Sequence, residues 1–188
     1  MRVIAGEFRS RRLKTLPGLE TRPTPDRLRE TLFNILAPRM EGTIFLDAYA
    51  GTGAVGIEAL SQGATKSIFV ERRRAAVEVI RENLETLGLR SRAEVYCGKA
   101  LHVIERVKAD IVFLDPPYEL ENEYEAALAA LGSSAETLVV VQHARKFCVK
   151  DTFGALSKTR VVSMGDNALS FYEPAPKYLD PIFPELAQ

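Results

Sequence analysis

Residues 45–60, FLDAYAGTGAVGIEAL, constrain the fold more than any other stretch of this chain. An apolar run ends in Asp47, three glycines follow at Gly51, Gly53 and Gly56, and Ile57 and Leu60 then share a helical face with Gly53 and Gly56. A strand, a tight glycine turn and a helix in that order commit the next strand to run parallel to the first. The pattern then repeats. KSIFVE (66–71) reads as a second buried strand, and RRAAVEVIRENLETLG as a long helix with Val77, Ile80, Leu84 and Leu87 on one side and Gly88 as its stop. AEVYCG (93–98), ADIVFLD (109–115) and ETLVVVQ (136–142) supply three more strands with helical pieces between them. Such alternation predicts an α/β protein, a mostly parallel sheet covered by helices on both faces.

The two ends depart from that rhythm. ALSKTRVVSMG and NALSFYE, joined around Gly165-Asp166-Asn167, predict an antiparallel hairpin that finishes the sheet. The last stretch, PAPKYLDPIFPELAQ, carries four prolines and is expected to lie along the surface or to be partly disordered. At the other end, RVIAGEF and RRLKT form a small basic hairpin in this reading. TRPTPDRLRETLFNILAPRM follows as a helix capped by Thr24, with Pro25 at its first position, Leu28, Leu32, Ile35 and Leu36 as its apolar stripe and Pro38 as its stop. The chain therefore divides into an N-terminal extension (1–40), a main domain (41–173) and a tail (174–188).

Charge is balanced overall, 25 basic against 25 acidic residues, so the whole-molecule field favours no polyanion. The distribution is uneven. Residues 1–14 hold Arg2, Arg9, Arg11, Arg12 and Lys14 against Glu7 alone, a local cationic patch. Cys97 and Cys148 lack a CxxC neighbour or clustered histidines, which argues against a metal site or a disulfide framework. No apolar run reaches the roughly 20 residues needed to span a bilayer, and no signal-type segment follows the charged start. A cytoplasmic protein with no membrane partner is expected.

Gly51-x-Gly53-x-x-Gly56 alone fits any nucleotide ligand whose backbone must come close. The acids around it narrow the choice. Asp47, four residues before Gly51, suits a cationic amino-acid group and would repel a pyrophosphate, while Glu71, twenty residues after Gly51, suits two ribose hydroxyls. A ligand with a ribose, an ammonium group and no phosphate is S-adenosylmethionine. Asp115-Pro116-Pro117-Tyr118 ends the fourth parallel strand and should face the same pocket, because ligands bind open α/β sheets at the carboxyl ends of strands near the switch in strand order. An exocyclic nucleobase amine is a poor nucleophile. The Asp115 carboxylate and the Pro116 carbonyl can accept its two N–H groups and favour a pyramidal nitrogen, with the proline ring stiffening the backbone and Tyr118 stacking on an unstacked base. Alignment for in-line methyl transfer with electrostatic help from Asp115 requires no metal.

Over nearly its whole length the sequence resembles the RsmD-type bacterial small-subunit rRNA methyltransferases. The resemblance is carried by RVIAGEFRSRRL, RPTPDRLRETLFNIL (22–36), DAYAGTGAVGIEALSQGA (47–64), FVE (69–71), DPPY (115–118) and GDNALSFYE (165–173), with the second segment the most specific. It implies a doubly wound, mostly parallel seven-stranded sheet of the class I S-adenosylmethionine-dependent methyltransferases. It also implies methylation of the N2 amine of guanine 966 in 16S rRNA, with S-adenosylhomocysteine as product. On this resemblance Asp47, Tyr49, Ala50, Gly51, Gly53, Glu71, Arg72, Lys99, Ala100 and Thr24 hold the donor, and Asp115, Pro116, Pro117 and Tyr118 are catalytic. Arg9, Arg11, Arg12, Lys14, Arg22 and Arg27 meet RNA, within a small subunit or an assembly intermediate; a monomer is expected because the C-terminal hairpin can serve as the sheet's edge. Lys99 departs from the pattern, standing where relatives often place an acid for the adenine amine, so backbone groups near Ala100 take that task; Tyr49 replaces the usual phenylalanine. The competing readings are an N6-adenine DNA methyltransferase, a protein-glutamine methyltransferase and a non-catalytic assembly protein. His143, after the fifth strand, is the one histidine placed to act as a base; His102 reads as structural.

Overall fold

The computed structural model describes residues 1–16, 26–117, 120–133 and 137–174. Five strands run parallel: β1 (Ile44–Asp47), β2 (Lys66–Glu71), β3 (Ala93–Cys97), β4 (Ile111–Leu114) and β5 (Leu138–Ala144). The helices are α1 (Asp26–Met40), α2 (Ala54–Ser61), α3 (Arg74–Thr86), α4 (Ala100–Ile104) and α5 (Glu121–Leu131). After β5 come β6 (Thr152–Phe153), β7 (Leu156–Met164) and β8 (Asn167–Pro174), giving the order β3-β2-β1-β4-β5-β8-β7-β6. The chain winds outward from β1 to β3, then returns to the other side of β1 with β4. The switch in strand order therefore falls between β1 and β4.

The sheet has eight strands among the described residues, one more than expected. The addition is β6, whose two residues pair only with Ser157 and Leu156 of β7, too short a run to carry a period of its own. The hairpin closes as expected: Gly165, at φ +58°, opens a two-residue turn between Met164 and Asn167, and β8 pairs antiparallel with β5 over six residues. The proline-rich stretch beyond Pro174 lies outside the described residues.

Alternation along each central strand sends neighbours to opposite faces, and both faces are covered. Leu46, Val70, Val112, Leu114, Val139 and Val141 pack under α4 and α5, while Phe45, Ile111, Phe113 and Val140 pack under α1 and α2. In α1 the buried residues are Leu28, Arg29, Leu32, Phe33, Leu36 and Met40, so Phe33 joins the expected stripe and Ile35 packs half-buried against the same cluster. Pro38 does not stop this helix as expected. It sits inside the last turn, two residues before the end at Met40, where its missing N–H costs a single intrahelical bond.

Residues 1–16 form an arm strapped across α2 and α3. Val3 and Leu13 insert among Ile57, Leu60, Ile80 and Leu84, while Arg2 and Arg12 pair as a single antiparallel bridge. Its attachment is polar. The buried Glu58 carboxylate accepts the N–H groups of Ile4 (2.8 Å) and Ala5 (2.9 Å), and Ser61 Oγ accepts that of Phe8 (3.0 Å). Gly6, at φ +78°, lies so close to Ser61 that an added Cβ would stand 1.8 Å from its carbonyl oxygen, so only glycine fits there. Arg29 completes the junction from α1. Its Nη2 donates to the Arg2 carbonyl at 2.7 Å, and its Nε lies 3.7 Å from Glu58 Oε2. Burial lowers the Arg29 pKa, and the charges of Glu58 and Asp26 act against that shift.

Candidate active site at the switch point

The glycine loop is sewn to the strands on both sides of it. Ala48 N donates to the Phe113 carbonyl of β4 (3.1 Å) and Ala50 N to the Val70 carbonyl of β2 (2.9 Å). The loop thus has little freedom where it leaves the sheet. Gly56 explains the third glycine: a Cβ there would stand 2.3 Å from the Phe69 ring and 2.7 Å from Ser67 Oγ, so its absence lets α2 lie against β2.

Asp47 and Glu71 close β1 and β2, and the β1–β2 register with strand alternation puts both on one side of the sheet. Asp47 is buried, with Oδ2 accepting Gly56 N–H at 2.9 Å. Burial pushes its pKa up to about 7; the Gly56 N–H opposes the rise and the charge of Glu71 adds to it. No cation pairs with Asp47 among the described residues. Glu71 is engaged at both oxygens: Oε2 accepts Gly51 N–H at 3.0 Å, and Oε1 accepts Arg73 N–H at 2.8 Å with Arg73 Nε at 3.4 Å. Arg73, which the sequence motifs do not single out, is the residue that steadies Glu71. Neighbouring Arg72 is exposed, as is Lys99 at the start of α4, whose first residue Ala100 is buried. The Tyr49 ring packs toward the α4 and α5 side, and its phenol pKa is raised, first by burial and then by the Glu123 carboxylate of α5.

On the neighbouring strand Asp115 is partly exposed, Pro116 buried and Pro117 exposed. The Pro116 carbonyl accepts the Tyr124 hydroxyl at 3.1 Å, a contact absent from every motif. One lone pair of that oxygen is thereby used and the other is left. Tyr118, Arg22 and Thr24 lie outside the described residues. Arg27 is exposed near the start of α1, and Arg9, Arg11 and Arg12 are exposed on the arm; Lys14 is paired with Glu82 at 2.9 Å. The arm spans both ends of α2: at Lys14 its N–H donates to Asn83 Oδ1 (2.8 Å), whose Nδ2 donates to the Thr52 carbonyl of the glycine loop (3.3 Å). The arm's turn at Gly6 meets Ser61, at the end of α2 away from the glycine loop. A cleft of about 560 Å³ near that turn, lined by Glu7, Glu41, Gln62 and Arg92 among others, likewise opens away from the three carboxylates.

His143 does not present a free base. Its Nδ1 contacts the Ala144 carbonyl at 2.9 Å and its Nε2 the Ser170 hydroxyl at 2.8 Å, which makes Nδ1 the donor and Nε2 the acceptor of the neutral ring. Burial lowers its pKa and favours that neutral form.

A doubly wound sheet with a glycine loop, two strand-end acids and a DPP backbone at its switch point defines a class I methyltransferase fold. The solved structure of yhhF from Escherichia coli superposes with a TM-score of 0.82 at 33% identity, covering 93% of this chain and 97% of that one. The YlbH protein of Bacillus subtilis is 36% identical over 182 residues, 92% of this chain and 98% of that one. The ribosomal RNA small subunit methyltransferase D of Haemophilus influenzae is 40% identical over 136 residues, 70% of each chain. Residues 1–173 match the family described as Conserved hypothetical protein 95, and the chain belongs to this RsmD-type family.

Proposed function

We propose that the protein methylates the N2 amine of guanine 966 in 16S rRNA, using S-adenosylmethionine as donor and leaving S-adenosylhomocysteine. The observation that carries this reading is the meeting of buried Asp47, Glu71 and the Asp115-Pro116 backbone at the switch point. The donor fits the residues present. Asp47, whose charge is held back by burial, gains from a cationic ammonium group, and Glu71 keeps lone pairs for ribose hydroxyls beyond those used by Gly51 and Arg73. The first turn of α4, at Ala100, offers backbone N–H groups for the adenine in place of the acid that Lys99 displaces. When bound, the donor supplies an electrophilic methyl group.

Asp115 and the Pro116 carbonyl accept the two N–H groups of the guanine amine and turn its lone pair toward that methyl. As the amine takes on positive charge the Asp115 carboxylate offsets it, and the surplus proton passes to water. Tyr124 keeps the Pro116 carbonyl aimed throughout. His143 contributes rigidity only, since both ring nitrogens are engaged.

The test is incubation with methyl-labelled S-adenosylmethionine and small ribosomal subunits lacking guanine N2 methylation, followed by nucleoside analysis. Labelled N2-methylguanosine at position 966 is expected. Label in DNA adenine or in protein glutamine, with none in RNA, would replace the substrate and keep the fold.

A further inference from the structure

We infer that Arg145 and Lys146 form a second docking point for the substrate RNA, on the acceptor side of the pocket, where they take phosphates next to the nucleotide whose base reaches Pro116. The inference rests on the RNA substrate proposed above and says how that substrate is held. In the sheet Leu114 of β4 stands beside Val141 of β5, and β5 runs on three residues, about 10 Å, to Ala144, so both chains turn at the same edge of the sheet with the β5 turn standing above the end of β4. Asp115 and Pro116 are the first residues after β4, and Arg145 and Lys146 the first after β5. Both cations are exposed, and neither makes an ion pair among the described residues.

The turn that bears them is braced. Arg145 N donates to the Asp166 carbonyl at the hairpin tip (2.8 Å), and Phe147 N to the Ala144 carbonyl (2.9 Å). The Phe147 ring packs on Tyr124 with centroids 5.1 Å apart, and Tyr124 in turn holds the Pro116 carbonyl. His143, just before the turn, is locked to Ser170. A chain of contacts therefore fixes the cationic pair relative to the proposed acceptor of the target amine. An ordinary solvated lysine on a loose loop would need none of it.

Electrostatics supply the second argument. A pocket lined by Asp47, Glu71 and Asp115 repels the phosphates that must pass over it to deliver a base. The arm's turn lies at the far end of α2, eight residues or about 12 Å from the glycine loop. Cations near that turn lie at the opposite end of the sheet, whereas Arg145 and Lys146 follow the carboxyl end of β5, at the edge where Asp115 follows β4.

The experiment compares wild type, an Arg145→Ala/Lys146→Ala double variant and an Arg106→Ala/Lys108→Ala control that removes two exposed cations before β4, at the other end of the sheet. Binding of an unmodified 16S rRNA transcript is followed across salt concentrations, together with methyl transfer and calorimetric S-adenosylmethionine binding. The double variant should flatten the slope of log K against log salt by about 1.4, about 0.7 for each single-strand phosphate contact, and lower kcat/KM for RNA about tenfold. Donor affinity should hold, and the control should behave as wild type. A wild-type slope in the double variant, or an equal loss in the control, overturns the inference while the proposed methylation stands. Salt-independent RNA binding by the wild type would likewise overturn the inference and leave the proposed methylation to its own test. Methylation of DNA or protein alone would overturn the proposed function, and the RNA slope would still decide whether this surface binds phosphates.

Discussion

The donor and acceptor halves of the pocket are built on different principles. On the donor side, β1, β2 and the glycine loop are joined by backbone hydrogen bonds from Ala48 and Ala50, and both acids are already hydrogen-bonded before any ligand arrives. On the acceptor side, Asp115 is partly exposed, Pro117 is exposed, and the Pro116 carbonyl is aimed by the hydroxyl of one side chain, Tyr124. The donor half is preorganised by the fold itself, so damage there should appear as lost stability or lost donor binding. The acceptor half hangs on particular side chains, so damage there should appear in turnover while the fold stands.

The largest effect should come from Asp115→Ala. Turnover is expected to fall by about a thousandfold, the scale of losing a group that stabilises developing charge, while calorimetric donor affinity stays within about twofold. Wild-type turnover in this variant would remove the contrast between the halves altogether. Next in size is Gly56→Val, which forces methyl groups into the Phe69 ring; about 2–3 kcal/mol of stability should be lost in thermal unfolding, with donor binding declining alongside it. A Gly56→Val protein with an unchanged melting temperature would show the donor half to be looser than its contacts imply.

The third effect is a pH dependence confined to the donor half. With Asp47 titrating near 7 and a cationic donor favouring its ionised form, affinity for S-adenosylmethionine should fall about tenfold from pH 8 to pH 6. Stability without donor runs the other way. The folded-state pKa lies above that of an unfolded aspartate, so this group's contribution is fully present below about pH 4 and is lost as pH rises through 7. Asp47→Asn should flatten both profiles; a donor titration that keeps its slope in the variant would assign the pH dependence to another group. The smallest effect is assigned to Tyr124→Phe, with kcat lower by about three- to tenfold for the loss of one hydrogen bond and donor affinity unchanged. Equal losses in donor affinity and kcat would mean that Tyr124 supports both halves.

The two halves were unequally legible in the sequence. Strand and helix alternation placed all five parallel strands within about two residues: burial on both faces gives β1, β2, β4 and β5 unmistakable apolar runs, and the half-exposed edge strand β3 was read from its place between two helices. Asp47, Glu71 and Asp115 were legible because each ends such a run. The props that hold them were not. Arg73 looks like one of three arginines at a helix start, and Tyr124 like part of an apolar helical face. Glu58 sits inside GAVGIEALSQG as an acid that any surface helix carries, yet it is fully buried against the arm. Such partners are set by contacts far apart in the chain, and no local period reports them. His143 shows the converse: a histidine at a strand end suggests chemistry until its two neighbours are known.

The polar clasp on the arm also sets an order of assembly. Its hydrogen bonds join residues 53 to 69 positions apart: Ile4 and Ala5 to Glu58, Phe8 to Ser61 and Lys14 to Asn83. Contacts at such separation form after local ones, and a chain made from its N-terminus presents the arm first and its docking partners much later. The five cations of residues 1–14 therefore emerge on an unanchored peptide and take their places only when α2 and α3 exist. Once Arg29 and Glu58 are enclosed together, leaving either without the other costs about 3–5 kcal/mol, so the junction the arm closes is hard to reopen.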